Sequence, residues 1–280
     1  MCSWCTSHSG SAPAPGDGAR EASDARMRAV VTPGRTLRRR AAEATFGVPY
    51  GSLPGAPFAT TARVTYAELD RRARAVAARL GDALLPGSRV LLVHRQGPDL
   101  AGTFYGCLYA GMVAVPYVLG EGAPGGGRPV ADGRLAAAVE CVAPAAVLTS
   151  ADSWSSLPVD RDRVPVLEAD DVRVGGRPVF QLADRWRPVG VLRGAEAYRR
   201  YLPGRAGECG DGRVEPAFSH GDLMHVMREL QDAARLGAGD EELGWIASAQ
   251  GVEDAVWRLL LPVHEGHAVW EAGGPWWPEK

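Results

Sequence analysis

GSRVLLVHRQGPDLAGTFYGCLYAGMVAVPY, residues 87–117, decides the fold class. Arg89–Val93 (RVLLV) is a short apolar run behind the breaker Pro86–Gly87, the pattern of a buried strand. Pro98 suits the first turn of a helix, whose pattern continues to about Ala110 and stops at Gly111. Gly102 and Gly106 leave one face of that helix thin enough for close backbone packing. Met112–Val115 is then the next strand. A strand, a crossover helix and a second strand make a parallel βαβ unit. The same stretch could be mistaken for a membrane span, because Leu100–Gly120 is 21 residues without a charge. Its four glycines, Pro116 and the β-branched residues of its second half favour a helix followed by a buried strand.

Working outward, VTYAELDRRARAVAARL (64–80) is a helix start with a written-in cap. Thr65 is the N-cap and Glu68, three residues on, closes a capping box. Leu69, Ala73, Val76, Ala77, Leu80 and Leu84 follow at helical spacing, with arginines on the other face. C-terminally, a glycine-rich loop (120–127) leads to a helix over about Asp132–Val142, then a strand at Ala145–Thr149 and another at Val164–Leu167. Helices alternating with apolar strands at this spacing predict an α/β fold with a doubly wound parallel sheet.

The rest is read more coarsely. Residues 1–32 are a Ser/Ala/Pro/Gly-rich disordered leader, with Met27 as an alternative start. Residues 33–150 form a first α/β lobe, 151–200 an irregular connection, and 201–280 part of a second α/β lobe. Thr36–Ala44 is a short basic helix whose arginine run at 38–40 is a solvated face. Residues 47–62 are loop. Ser219 or Asp222 caps a helix running to about Leu236, and a last helix covers about Val252–Leu261 before Pro262. There is no internal repeat.

Composition excludes several functions. Hydrophobic content of 46%, charged content of 23% and a net charge of −2 describe an ordinary globular protein with no polyanion-binding surface, so no nucleic-acid partner is expected. Five cysteines make no disulfide framework in 280 residues, which points to a reducing, cytoplasmic compartment. Cys2 and Cys5 with His8 fall short of a four-ligand set, so no metal site is expected. His264-Glu265-Gly266-His267 lacks the spacing that places two histidines on one helix face and reads as a polar loop. No nucleophile elbow, phosphate-loop lysine motif or dinucleotide fingerprint is present.

Taken together, 64–80, 87–117 and AVLTS at 146–150 resemble the start of the acyl-adenylate-forming enzymes, and among them the fatty acyl-AMP ligases. The T-Y-x-E-L helix start, the F-x-G-C-L-Y-A-G run and the A-V-P strand end carry that resemblance, which extends from about Thr36 to Trp270. It implies the fold of that family's N-terminal domain, without its C-terminal domain. It also implies where a nucleotide loop should lie. The family's loop, Y-T-S-G-S-T-G-x-P-K-G-V followed by S-H-x-N-L, would hold ATP phosphates on hydroxyls, amides and a lysine. Here Ala197-Tyr198 and Tyr201 match its approach and Ser219-His220-Gly221-Asp222-Leu223 its exit. Between them stand Gly204, Arg205 and Gly207, then a longer insert. The glycine skeleton remains, the loop hydroxyls are gone, and Arg213 is the nearest stand-in for the lysine.

A second family motif, W-L-P-x-x-H-D-x-G-L, corresponds to Trp245 through Glu253. The tryptophan is kept, and Gln250 lies where the His-Asp pair is lost. The resemblance therefore implies a degenerate, truncated relative with no catalytic residue and no certain cofactor. As an interaction or regulatory protein it would pair with an acyl-activating enzyme, a carrier protein or another copy of itself. Two alternatives stay open: half of a split acyl-AMP ligase, which alone would use ATP and magnesium, and a non-catalytic module that binds an acyl chain or nucleotide.

Overall fold

The computed structural model describes residues 31–43, 49–50, 64–94, 98–119, 134–169, 173–174, 177–203, 212–235, 259–261 and 263–264. All belong to one compact unit, Val31–Lys280. Its frame is a six-stranded sheet in which β3 (Arg89–His94) lies between β4 (Val113–Val118) and β5 (Ala146–Thr149). Beyond β5 lies β6 (Val166–Glu168), and beyond β4 lie β9 (Glu196–Tyr198) and then β12 (Phe218–Ser219). Only β12, at the edge, runs antiparallel to its neighbour. Val90 faces Ala114 on one side and Ala146 on the other, so β3 is a central strand.

Period-two alternation sends the central strands' side chains to two cores. Val90, Leu92, Ala114 and Leu148 enter one, together with α2 (Tyr66–Ala83) and α3 (Pro98–Ala110). Leu91, Val93, Val115 and Val147 enter the other, against Leu135, Ala138 and Val142 of α4 (Arg134–Val142). Helices on both faces of a mostly parallel sheet are the predicted doubly wound arrangement.

Helix α2 follows its sequence signature closely. Thr65, on the short strand β2 (Val64–Thr65), is the N-cap, and both bonds of its capping box with Glu68 are present. Leu69, Ala73, Val76, Ala77 and Leu80 are all buried, each leucine contributing about 2 kcal/mol of hydrophobic burial. Gly106 of α3 is the contact point between the two helices. A Cβ there would lie 2.4 Å from Val76 Cγ1 and 3.3 Å from the Ala73 carbonyl oxygen, so only glycine fits this approach.

Three readings change. The arginine run at 38–40 is not simply solvated. It lies on α1 (Pro33–Glu43), where Arg38 sits over the Trp186 ring at 5.1 Å and Arg40 donates to the carbonyls of Val263 and His264. The stretch 150–200 is not uniformly irregular. Besides β6, which matches the strand expected at Val164–Leu167, it holds α5 (Ala151–Trp154), a β7–β8 hairpin (Arg173–Val174, Arg177–Pro178), α6 (Val179–Arg185) and β9. These elements are two to seven residues long, too short for periodicity to reveal. Residues 47–62 are not wholly loop, since β1 (Pro49–Tyr50) pairs antiparallel with β2. Of the last predicted helix, 259–261 is helical and the remainder of 252–258 lies outside the described residues.

Candidate functional site

The glycine-rich segment hangs from a short antiparallel stem. On one side is β10 (Tyr201–Leu202) and on the other β11 (Arg213–Val214), with Tyr201 opposite Val214 and Leu202 opposite Arg213. Tyr201 is buried, with its ring 6.2 Å from that of Tyr117, and Cys141 Sγ donates to the Gly212 carbonyl at 3.2 Å. Gly204, Arg205 and Gly207 lie outside the described residues, as do Trp245 and Gln250. Arg213 and Ser219 are described, at either end of the link to α7 (His220–Arg235).

Arg213 is largely exposed and its guanidinium lies 3.7 Å from Glu215. Glu215 is already held by Arg200, at 3.0 and 3.1 Å through two of its nitrogens, and its amide donates to the Arg200 carbonyl at 2.9 Å. The cation at the base of the stem is thus part of a three-residue charge cluster with one carboxylate.

The start of α7 is closed by its own residues. Ser219 is the N-cap: its amide and hydroxyl donate to Asp222 Oδ2 at 2.8 and 2.7 Å, and the Asp222 amide donates back to Ser219 Oγ at 3.1 Å. The amides of His220 and Gly221 donate to the carbonyls of Ala195 and Arg193, at 3.1 and 2.8 Å. Gly221 permits that approach, because a Cβ there would lie 2.7 Å from Arg193 Cγ and 3.2 Å from the Arg193 oxygen. A helix N-terminus binds anions through free amides and its positive dipole end. Here the first three amides are occupied and the Asp222 carboxylate already sits at that end. The Ser219 amide, then its hydroxyl, hold the Asp222 carboxyl below its ordinary range, with His225 and Arg193 adding to the effect.

His220 adds no positive charge. It is fully buried with neither ring nitrogen partnered among the described residues, and burial pulls its pKa down to about 4, leaving it neutral near pH 7. The donors the helix start could offer are consumed, a carboxylate occupies the anion position, and the chain's single lysine is Lys280.

Sequence reasoning passed over two features. One is the claim that residues 193–195 make on the helix start, for which a glycine at the second helical position was the available signal. The other is His94 at the end of β3. Chain connections leave β3 toward β4 and β5 toward β6, so the ends of β3 and β5 flank the topological switch point where such sheets bind ligands. Both ends are sealed: His94 and Thr149 are buried, and Thr149 Oγ1 donates to the Val93 carbonyl at 2.8 Å. Burial pulls the His94 pKa down to about 3, and its Nε2 has no partner among the described residues.

The AMP-binding enzyme family model matches residues 48–185, from β1 through α6 and ahead of β9 and the glycine-rich stem. Over that stretch, just under half of its length, the chain is similar to the acyl-adenylate-forming superfamily. Within that superfamily it is fatty acyl-AMP ligase-like. It is 27% identical over 186 residues to the long-chain-fatty-acid–AMP ligase FadD32 of Mycobacterium marinum, covering 65% of this chain and 28% of that protein. To the FadD32 of Mycolicibacterium smegmatis it is 39% identical over 90 residues, 32% of this chain and 13% of that protein. The crystal structure of a fatty acid AMP ligase from Legionella pneumophila shares the fold, with a TM-score of 0.62 and 21% identity over 86% of this chain and 39% of the other. The chain therefore spans less than a third of the two curated relatives. Among the described residues no helix is long and apolar enough to cross a membrane.

Proposed function

We propose that this acyl-adenylate-forming relative is non-catalytic and works through protein contacts, as an interaction or regulatory partner in fatty acid, polyketide or lipopeptide metabolism. Its partner would be an acyl-activating enzyme, a carrier protein or a second copy of the chain. One observation carries the reading: at the exit of the loop where the resemblance implies phosphate binding, the α7 amides are bonded within the chain and Asp222 occupies the helix start. Adenylation needs oriented donors and positive charge against the phosphates as the carboxylate attacks. A neutral His220 and a carboxylate-paired Arg213 supply neither.

The test is ATP–pyrophosphate exchange by the purified chain with magnesium and a panel of medium- and long-chain fatty acids. No exchange above a protein-free blank is expected with any acid. Exchange with any of them would overturn the reading, as would exchange that arises only on mixing with a second chain, which would make this half of a split ligase.

A further inference from the structure

An edge strand turns a row of unpaired N–H and C=O groups outward, where another chain can pair with them. At one edge of the six-stranded sheet β12 is two residues long, which leaves little to pair with. At the other edge lies β6, Val166–Glu168, within a run that is apolar from Val164 to Leu167. Its ladder to β5 shows which groups face away. The Val147 amide donates to the Pro165 carbonyl at 2.9 Å, and the Ala169 amide donates to the Thr149 carbonyl at 2.8 Å. Residues 165, 167 and 169 therefore bond toward β5, in the register that sets Val147 against Val166 and Thr149 against Glu168. By alternation the amides and carbonyls of Val166 and Glu168 point away from the sheet. Among the described residues no strand pairs with them.

Those two carbonyls are the ones that side chains cover. Trp154 Nε1 donates to the Val166 carbonyl at 3.2 Å, and Arg79 Nη1 donates to the Glu168 carbonyl. The donors come from different places, Trp154 from the end of α5 and Arg79 from α2. Trp154 is itself held: Arg161 lies 3.8 Å over its ring and donates to its carbonyl, so a guanidinium covers the indole that covers the strand. Indole and guanidinium N–H groups donate and do not accept. They occupy the outward acceptors of β6 and offer nothing to the amides of an incoming strand.

We propose that Trp154 and Arg79 form a guard on the β6 edge, and that the partner it keeps out is the same edge of a second copy of this chain. Two identical edges meet antiparallel about a twofold axis, so each copy would supply the carbonyls that the other's amides need. Pairing there requires both side chains to leave. A contact between two copies must use another surface or displace the guard.

The experiment is sedimentation velocity of the full chain over a wide range of concentration. Trp154→Phe removes the indole donor and keeps a ring beneath Arg161. Arg79→Met removes the guanidinium and keeps much of its length. The double variant should shift with rising concentration toward a species of twice the parent's mass. Adding Val166→Pro should reverse that shift, because the Val166 amide faces outward and proline takes a donor from the edge without taking one from the ladder to β5. This reversal separates strand pairing from association through a loosened core, which proline would not cure. A double variant that sediments like the parent would overturn the proposal. So would association that survives Val166→Pro, or a parent that already associates and is freed by Val166→Pro alone.

Discussion

Two helices of this protein begin with nearly the same sentence. Thr65-Tyr66-Ala67-Glu68-Leu69 opens α2 and Ser219-His220-Gly221-Asp222-Leu223 opens α7. The hydroxyl cap, the returning carboxylate and the buried leucine are shared, down to hydrogen bonds within a few tenths of an ångström. The positions between differ. Tyr66 is a buried aromatic where α7 has a buried histidine, and exposed Ala67 stands where α7 has buried Gly221. At α2 the surroundings leave the second helical residue open. At α7 the 193–195 segment crosses over it and takes two amides. A single capping motif thus serves an ordinary helix start in one place and a sealed one in the other. What surrounds the cap, more than the cap itself, determines whether a helix start can receive a ligand.

The largest consequence follows from the histidine at α7 and its counterpart at the end of β3. Both have folded pKa values below the ordinary 6.5, His220 at about 4 and His94 at about 3, because burial penalises the charged form. As pH falls below about 6.5 the unfolded chain takes up these protons while the folded chain does not, so stability is lost on acidification. Between about pH 7 and about pH 5 each histidine should cost about 2 kcal/mol, or about 4 kcal/mol together. Urea unfolding at the two pH values measures it. His220→Leu and His94→Leu should each remove about half of the pH slope, whatever they do to stability at neutral pH. A stability that stays flat from pH 7 to pH 5 would show that neither histidine is buried neutral.

The second test targets the position where the two starts diverge. Gly221→Ala places a methyl against Arg193 Cγ and the Arg193 carbonyl. Overpacking of this kind costs about 2 kcal/mol, set against at most about 1 kcal/mol gained in helix propensity. Ala67→Gly, the reverse change in α2, should cost about 1 kcal/mol or less, since nothing but propensity is altered there. If both substitutions prove equally mild, the 193–195 segment does not press on α7 and its amides are not held.

What could be seen in the sequence tracks how local the cause is. The α2 cap, its buried stripe, the β3–α3–β4 unit and the close helix contact at Gly106 were all legible, because each is specified within a few residues. So was the doubly wound class, which follows from the order of such units. The attachment of the 38–40 arginines to Trp186 and to residues 263–264 was not, because charge on a helix does not reveal partners that lie far along the chain. The same limit applies to the candidate site. Flanking residues give it an expected position, with Ser219 and Arg213 named in it. The closure of α7 by two backbone carbonyls could not be read, since carbonyls carry no side-chain signature and only Gly221 hints that backbone approaches there.

The smallest effect tests the shared motif itself. Thr65→Ala and Ser219→Ala each delete a hydroxyl that caps one amide, and each should cost about 1 kcal/mol. The two carboxyls also respond alike to acid. Glu68 is held below its ordinary range first by the Thr65 amide, with the Thr65 hydroxyl and Arg72 assisting, and Asp222 first by the Ser219 amide. A lowered carboxyl pKa contributes stability above the ordinary carboxylate range and loses it as pH falls through the folded value. That window lies below the histidine window, so the difference between each alanine variant and the parent should hold constant from pH 7 to pH 5 while the parent itself weakens. Should Ser219→Ala cost much less than Thr65→Ala, the crossing segment, with its Ala195 and Arg193 carbonyls, would be holding α7 without help from the cap. The two helix starts would then share a motif by sequence and differ in what secures them.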